Sequence, residues 1–250
     1  MKQLPTFIAA SLLLSTAPAA AQTTFRLGVR GGVNKALTTV DPAGNTSGNY
    51  PLSSSADKSA IYAWQAGIVA EARVGKVSWQ PALLFSQKGE VFHTTQYRSG
   101  FAGYNTQETT STSRYNWLEM PLNVVYTLHG DHGLQVFAGP YVAVAIGGRQ
   151  RGTSTAAFYG PPTYQVPSYS ATNHFDNQAT YGQDTGNGRW DAGVNFGVGY
   201  RQGPLQVQVG YGLGLLNLHP APGIDRLHNF AATEAYNRVA QLTCTYFFEL

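Results

Sequence analysis

The sequence predicts an all-β fold, an eight-stranded antiparallel up-and-down barrel. Three observations predict it. Apolar and polar residues alternate with a period of two in eight separate runs, and short connections alternate with long ones between those runs. In addition, no segment beyond the N-terminus offers the roughly 18 consecutive apolar residues that a membrane-crossing helix needs.

The opening segment, residues 1–21, has the composition of a secretion leader. Lys2 supplies a positive start, Phe7 to Leu14 an apolar stretch, and Ala19-Ala20-Ala21 a small-residue cleavage site before Gln22. The barrel is expected over 22–250 as one domain, a usual length for a single β unit. Successive side chains on a strand point to opposite faces, so each run separates an apolar face from a polar one. The first run places Phe25, Leu27, Val29 and Val33 against Arg26, Arg30 and Asn34; the second, Tyr62 to Val74, places Trp64 and Ile68 against Gln65, Glu71 and Arg73. In the third, Val77, Trp79, Leu83 and Phe85 oppose Ser78, Gln80, Ser86 and Lys88; in the fourth, Tyr115 to Leu128, Leu118, Met120 and Val124 oppose Glu119 and Asn123. The fifth runs from Leu134 to Ile146, the sixth from Trp190 to Arg201, the seventh from Leu205 to Leu215 and the last from Ala240 to Leu250.

Three connections are tight: Gly75-Lys76, His129 to Gly133, and Gln202-Gly203-Pro204. The other four, Lys35 to Ala60, Val91 to Arg114, Gly148 to Gly188 and Leu218 to Tyr236, are long and rich in Gly, Ser, Thr, Asn and Pro. Short turns on one rim and long loops on the other are the pattern of outer-membrane barrels, whose short turns face the periplasm. Tryptophans and tyrosines near the strand ends, such as Trp79, Trp190 and Tyr246, suit the aromatic girdles of the two lipid interfaces.

Residue size decides which face points inward. The polar face carries Gly, Ala, Ser, Asn and Gln, and the apolar face Leu, Val, Trp, Tyr and Phe. An eight-stranded barrel leaves an interior just wide enough for side chains, so the small polar set is expected inside and the bulky apolar set outside, where only lipid suits it. A soluble carrier barrel would need the reverse. Charged residues are 12% of the chain, about half the share of a water-facing globule, which fits a lipid-facing surface. The formal charge is +3; without Lys2 the count is 15 basic minus 13 acidic, or +2, and such a balance leaves no nucleic-acid footprint. Cys244 is the single cysteine, so no internal disulfide framework exists, and it is expected to act as a small apolar residue.

The inward face would bury Arg26, Arg30, Glu71, Arg73, Lys88, Glu119, Asp191 and Arg201, and buried charges need partners. Strand direction pairs Glu71 with Arg26 or Arg30 near the turn-side rim, and Lys88 with Glu119 near the loop-side rim. These charges are expected to be a structural network that fills the lumen, with a gated ion path as the alternative.

Several segments together resemble the PorT-like outer-membrane β-barrels of Bacteroidota-type bacteria, often labelled porin-family proteins. The matching stretches are Leu27-Gly28-Val29-Arg30-Gly31-Gly32-Val33-Asn34, then Gln80 to Gly89, Trp117-Leu118-Glu119-Met120-Pro121-Leu122, Phe137-Ala138-Gly139-Pro140-Tyr141, Asp191-Ala192-Gly193 and Gly197-Val198-Gly199-Tyr200. The resemblance spans nearly the whole mature chain. It implies a transmembrane barrel in the cell outer membrane more than an activity: the founding member is associated with protein secretion and gliding, most similar proteins have no established task, and no catalytic residue comes with the family.

Other chemistry finds little support. His129 and His132 flank Asp131 but lie in a predicted tight turn with no further ligand, so no metal is expected. Asn45-Thr46-Ser47 fits a glycosylation pattern by accident in a bacterial chain. His93, His174, His219 and His228 fall in or beside the long loops, and nothing in the sequence brings any of them to a Ser and an acid, so no catalytic site and no cofactor are expected. The longest connection, Gly148 to Gly188, carries Phe158, Tyr159, Tyr164, Tyr169, Phe175 and Tyr181 with Pro161, Pro162 and Pro167. Aromatic anchors on a long loop suit either a contact surface for another protein or a lid over the barrel mouth. The expected function is therefore a monomeric, non-enzymatic barrel, surrounded by outer-membrane lipid, that offers its loops to envelope or secretion proteins. A narrow pore for small solutes is the runner-up, and a rim-located lipid-processing enzyme a more distant alternative.

Overall fold

The computed structural model describes residues 23–40, 52–100, 102–161, 164–181, 188–218 and 235–249. The leader at 1–21, Asn45 to Ser47, Pro162, His219 and His228 lie outside them. Among the described residues nine strands follow in order: β1 Thr24–Val40, β2 Leu52–Val74, β3 Val77–Gly100, β4 Gly103–His129, β5 His132–Tyr159, β6 Tyr169–Gln178, β7 Trp190–Gln202, β8 Leu205–Gly214 and β9 Ala235–Glu249. Each of the eight sequence runs lies in a strand, except that Leu215 falls just past β8 and Leu250 lies outside the described residues, and these eight strands close into an antiparallel ring, β1-β2-β3-β4-β5-β7-β8-β9, with β9 pairing back onto β1. No helix among the described residues is long and apolar enough to cross a membrane.

The three tight connections are two-residue hairpin turns, Gly75-Lys76, Gly130-Asp131 and Gly203-Pro204. Each opens on a glycine at positive φ (59°, 70° and 58°), the requirement of a type II′ turn, whose twist matches the flanking strands.

The long connections differ from expectation. Val91 to Arg114 is not a loop: β3 and β4 continue through it, paired from Val91↔Thr112 to Gly100↔Gly103. The segment from Gly148 to Gly188 is likewise mostly strand, because β5 continues to Tyr159 and β6 returns antiparallel along it, from Arg149↔Gln178 to Phe158↔Tyr169. β2 also begins beyond the ring, at Leu52 opposite Arg98. A five-stranded sheet, β2-β3-β4-β5-β6, thus rises from the loop-side rim. Its strands were illegible because alternation marks a strand only where one face meets apolar surroundings, whereas here both faces are largely polar. Thr106, Thr109, Thr110, Thr112, Thr153 and Thr155 supply β propensity instead.

In the ring the alternation has the expected orientation. Ile68 is 60% exposed and Trp190 59%, whereas Arg201, Gln80 and Gln206 on the opposite face are wholly buried. Cys244 is exposed on the apolar outer face.

The interior is not filled by small residues alone, as the sizes suggested. Trp117, Phe137, Tyr141 and Phe247 are buried in it, with Val69, Leu84 and Val125. Cross-strand glycines make the room: Gly197 faces Phe137, Gly193 faces Tyr141 and Gly28 faces Phe247. A Cβ at those glycines would lie 2.8 Å from Phe137 Cε1, 2.8 Å from Tyr141 Cε1 and 2.9 Å from Phe247 Cδ1, well inside contact distance. Each bare glycine is covered by the ring across from it, which pins the register of both strands.

Candidate functional site

The inward charges gather into two clusters, one at each end of the lumen. At the turn-side end, Glu71 on β2 is the hub. Its Oε1 accepts from Arg201 Nη1 (2.7 Å), Gln80 Nε2 (2.9 Å) and Arg73 Nη2 (3.4 Å), and Arg26 Nη1 lies 3.6 Å from its Oε2. Arg73 Nη1 also donates to Asp131 Oδ1 (2.5 Å) and to the Gly130 carbonyl (2.7 Å), while Arg26 Nη1 reaches the same Asp131 oxygen at 3.0 Å. Arg201 stacks on Phe247, its Cζ 4.7 Å from the ring centre. Three guanidinium groups therefore surround one buried carboxylate and one at the rim. Asp131 lies in the turn, and the hydrogen bond from Arg26 holds its carboxyl below the usual range.

At the loop-side end the balance reverses. Lys88 Nζ lies 2.8 Å from Glu119 Oε2 and donates to Asp191 Oδ2 (3.2 Å). The ammonium also sits 4.7 Å from the centre of the Tyr141 ring. Asp191 Oδ2 accepts further bonds from Tyr141 (3.2 Å) and Asn237 Nδ2 (2.8 Å). One cation thus sits between two carboxylates.

Arg30 lies between the clusters and not with Glu71. Its Nε donates to Thr245 Oγ1 (2.9 Å) and its Nη2 to Gln208 Oε1 (3.4 Å). Amides fill the rest of the lumen, with Gln65 donating to Gln241 (2.9 Å) and Gln80 and Gln206 exchanging bonds at 3.1 Å. The two gaps beside Arg30 and Lys88 each have room for about one water molecule.

The six aromatic residues of the long connection do not form one patch. Tyr159 stacks at 4.6 Å on Tyr104, which stacks at 4.7 Å on Tyr97 and donates its hydroxyl to the Tyr164 carbonyl (3.1 Å). Phe158 and Tyr169 close the far end of the β5–β6 pairing, and Phe175 lies opposite Gly152 within it. Tyr181 instead turns back to the barrel mouth. Its hydroxyl donates to the Gly147 carbonyl (2.9 Å), and its ring meets Tyr115 and Trp117 edge-on, each at 6.4 Å.

The described histidines gather into no common site. His129 and His132 stack across the Gly130-Asp131 turn with ring centres 6.0 Å apart, and His93 Nδ1 lies 2.8 Å from Thr110 Oγ1 on the rising sheet. No group of three or more metal-ligating side chains comes together among the described residues. Participants such as Asp131, Gln80 and Gln206 carry no signal of their own in the sequence. Asp131 stands there only as a neighbour of His129 and His132, and the two glutamines as polar residues of the inward face. Their roles depend on which residues stand across the barrel, and alternation along one strand carries no such information.

Residues 20–219 match the family described as outer membrane protein beta-barrel domain. Among solved structures, the chain is similar to Neisserial surface protein A at 12% identity, covering 89% of this chain and 97% of that one, with a TM-score of 0.30. It is also similar to the deltaS2 mutant of the TodX monoaromatic hydrocarbon channel, at 8% identity over 93% of this chain and 91% of that one, with a TM-score of 0.20. Neither likeness bears on what this chain binds. No curated protein matches the sequence. The ring, its lipid-suited outer face and the family match over most of its length agree: the chain belongs to the outer membrane protein beta-barrel domain family and is an outer-membrane β-barrel.

Proposed function

We propose that this protein is exported by a cleaved leader and acts as a non-enzymatic, PorT-like barrel. It holds a rigid β-sheet above the membrane for other envelope proteins, in a task of secretion or envelope integrity. The lumen supports a closed role, because charge clusters seal both ends and amides fill the middle. The observation that carries the reading is the sheet built from the upper parts of β2 to β6. A pore gains nothing from strands that rise this far beyond the ring, whereas a platform gains reach and rigidity. Its β6 side presents Asp176 paired with Arg151 (3.1 Å) and with Arg149, a polar surface suited to a protein partner.

The test removes the platform and spares the ring. The segment between Gly152 and Phe175, a directly paired couple, is replaced by a Gly-Ser turn. The shortened protein is expected to reach the outer membrane, to keep heat-modifiable migration on gels and to lose envelope proteins that copurify with the full chain. Retention of every such protein by the shortened barrel overturns the proposal.

A further inference from the structure

At the loop-side mouth, above the Lys88 cluster, lies a small cavity that opens on one side, with room for about two to three water-sized groups, which suits an occupant of only a few heavy atoms. Three aromatic rings form its wall: Tyr115 and Trp117 from β4, and Tyr181 from the chain after β6. Glu90 on β3 completes it, and Leu218 closes the floor beside Trp117. Backbone bonds hold the frame, with Gly188 donating to the Leu218 carbonyl (2.5 Å) and Leu218 to that of Ala235 (2.8 Å).

Two polar atoms here are buried without a hydrogen-bond partner, Glu90 Oε2 and Trp117 Nε1. Such atoms cost stability unless something meets them. One is a negatively charged acceptor and the other a donor, so an occupant that satisfies both brings a cation and an oxygen. The Tyr115 and Tyr181 rings favour the same chemistry, since an aromatic face attracts a cation, and the Trp117 ring already has the Lys88 ammonium 5.8 Å from its centre. The surrounding charge agrees: Lys88 is already held by Glu119 and Asp191, and no ion pair to Glu90 forms among the described residues. Lys58, which also feels the charge of Glu90, sits over the Phe92 ring at 5.2 Å and makes no ion pair with it.

We infer that this mouth cavity is a binding site for a small organic ammonium ion of the amino-alcohol kind. The ammonium lies among Tyr115, Trp117 and Tyr181 against Glu90 Oε2, and its hydroxyl oxygen accepts from Trp117 Nε1. The site is independent of the protein-binding platform, because it needs neither the outer part of β5 nor β6.

Calorimetric titration of the refolded full chain with ethanolamine tests it, with n-propanol, in which a methyl replaces the ammonium, as the neutral counterpart. Ethanolamine is expected to saturate and n-propanol to bind at least about tenfold more weakly. Glu90→Gln is expected to weaken ethanolamine binding by about tenfold, as is Tyr181→Leu, whereas Tyr181→Phe keeps the ring and the affinity. Heat-modifiable migration checks that each variant is folded, and the two-ligand comparison on the unaltered protein stands even if a variant fails to assemble. Saturation only by micelles of short-chain phosphatidylethanolamine, whose ester oxygen takes the place of the hydroxyl as acceptor for Trp117 Nε1, assigns the site to a lipid head group, and saturation by free ethanolamine to a solute; both support it. Equal binding of n-propanol, or no saturation by either source, overturns the inference.

Discussion

The lower and upper parts of the same strands are held by different physics. In β5, the stretch from Leu134 to Ala145 alternates between lipid and lumen, whereas Arg149 to Phe158 has water within reach of both faces. Backbone pairing continues across the boundary and side-chain burial largely stops. Below it, buried partners fix each charged side chain, as Arg201 is fixed between Glu71 and Phe247; above it, exposed pairs such as Arg151 and Asp176 are screened by solvent. Stability should therefore reside in the ring, and the rising sheet should tolerate change.

The sharpest test of this contrast is Glu71→Gln. It leaves Arg26 with Asp131 and Glu249, Arg73 with Asp131, and Arg201 without the carboxylate it pairs with, and is expected to cost about 3–5 kcal/mol in urea unfolding from liposomes. Glu119→Gln is expected to cost less, about 3 kcal/mol or below, because Asp191 still pairs with Lys88. Equal losses at both positions would break the assignment of Glu71 as hub.

Gly210→Ala probes packing instead of charge. Its Cβ would lie 2.7 Å from Phe137 Cζ, with no backbone atom nearer than 3.2 Å, and a loss of about 1–3 kcal/mol is expected, relieved in part by Phe137→Ala in the same chain. Without that relief, the glycine and the ring are not a packing unit.

Asp131→Asn tests the boundary at the turn-side rim, where solvent discounts the pair to about 1 kcal/mol or less. Arg26 depresses the folded-state pKa of Asp131, so its contribution is complete above the ordinary value of 3.8 and fades as pH falls through the lower folded value. The gap between the two proteins, read from unfolding midpoints, should close in strong acid; a gap that widens there contradicts the pairing. Asp176→Asn is expected to have the smallest effect, with no change in the unfolding midpoint of the ring. A measurable loss there would mean that the rising sheet and the ring unfold together.

The same boundary explains what the sequence made legible. Phe25 to Val33 and Leu205 to Leu213 announce their strands because lipid selects one face and a narrow lumen the other. The Thr-rich upper halves of β4 and β5 carry no such imprint, so they resembled loops. Lys88 and Glu119 could be matched from strand direction because β3 and β4 are neighbours. Asp191 and Arg201 come from β7, across the barrel, and their partners depend on closure of the ring. The mouth cavity was harder still: Tyr181 looked like one of six similar loop aromatics, and only its return to Trp117 sets it apart.

If its own side chains seal this barrel, it carries no current, and conductance in planar bilayers measures that directly. The unaltered full chain is expected to insert and show no stable openings, and Glu119→Gln to create none. Stable openings of the unaltered protein that pass sugars would contradict the sealed lumen and establish a solute pore in its place.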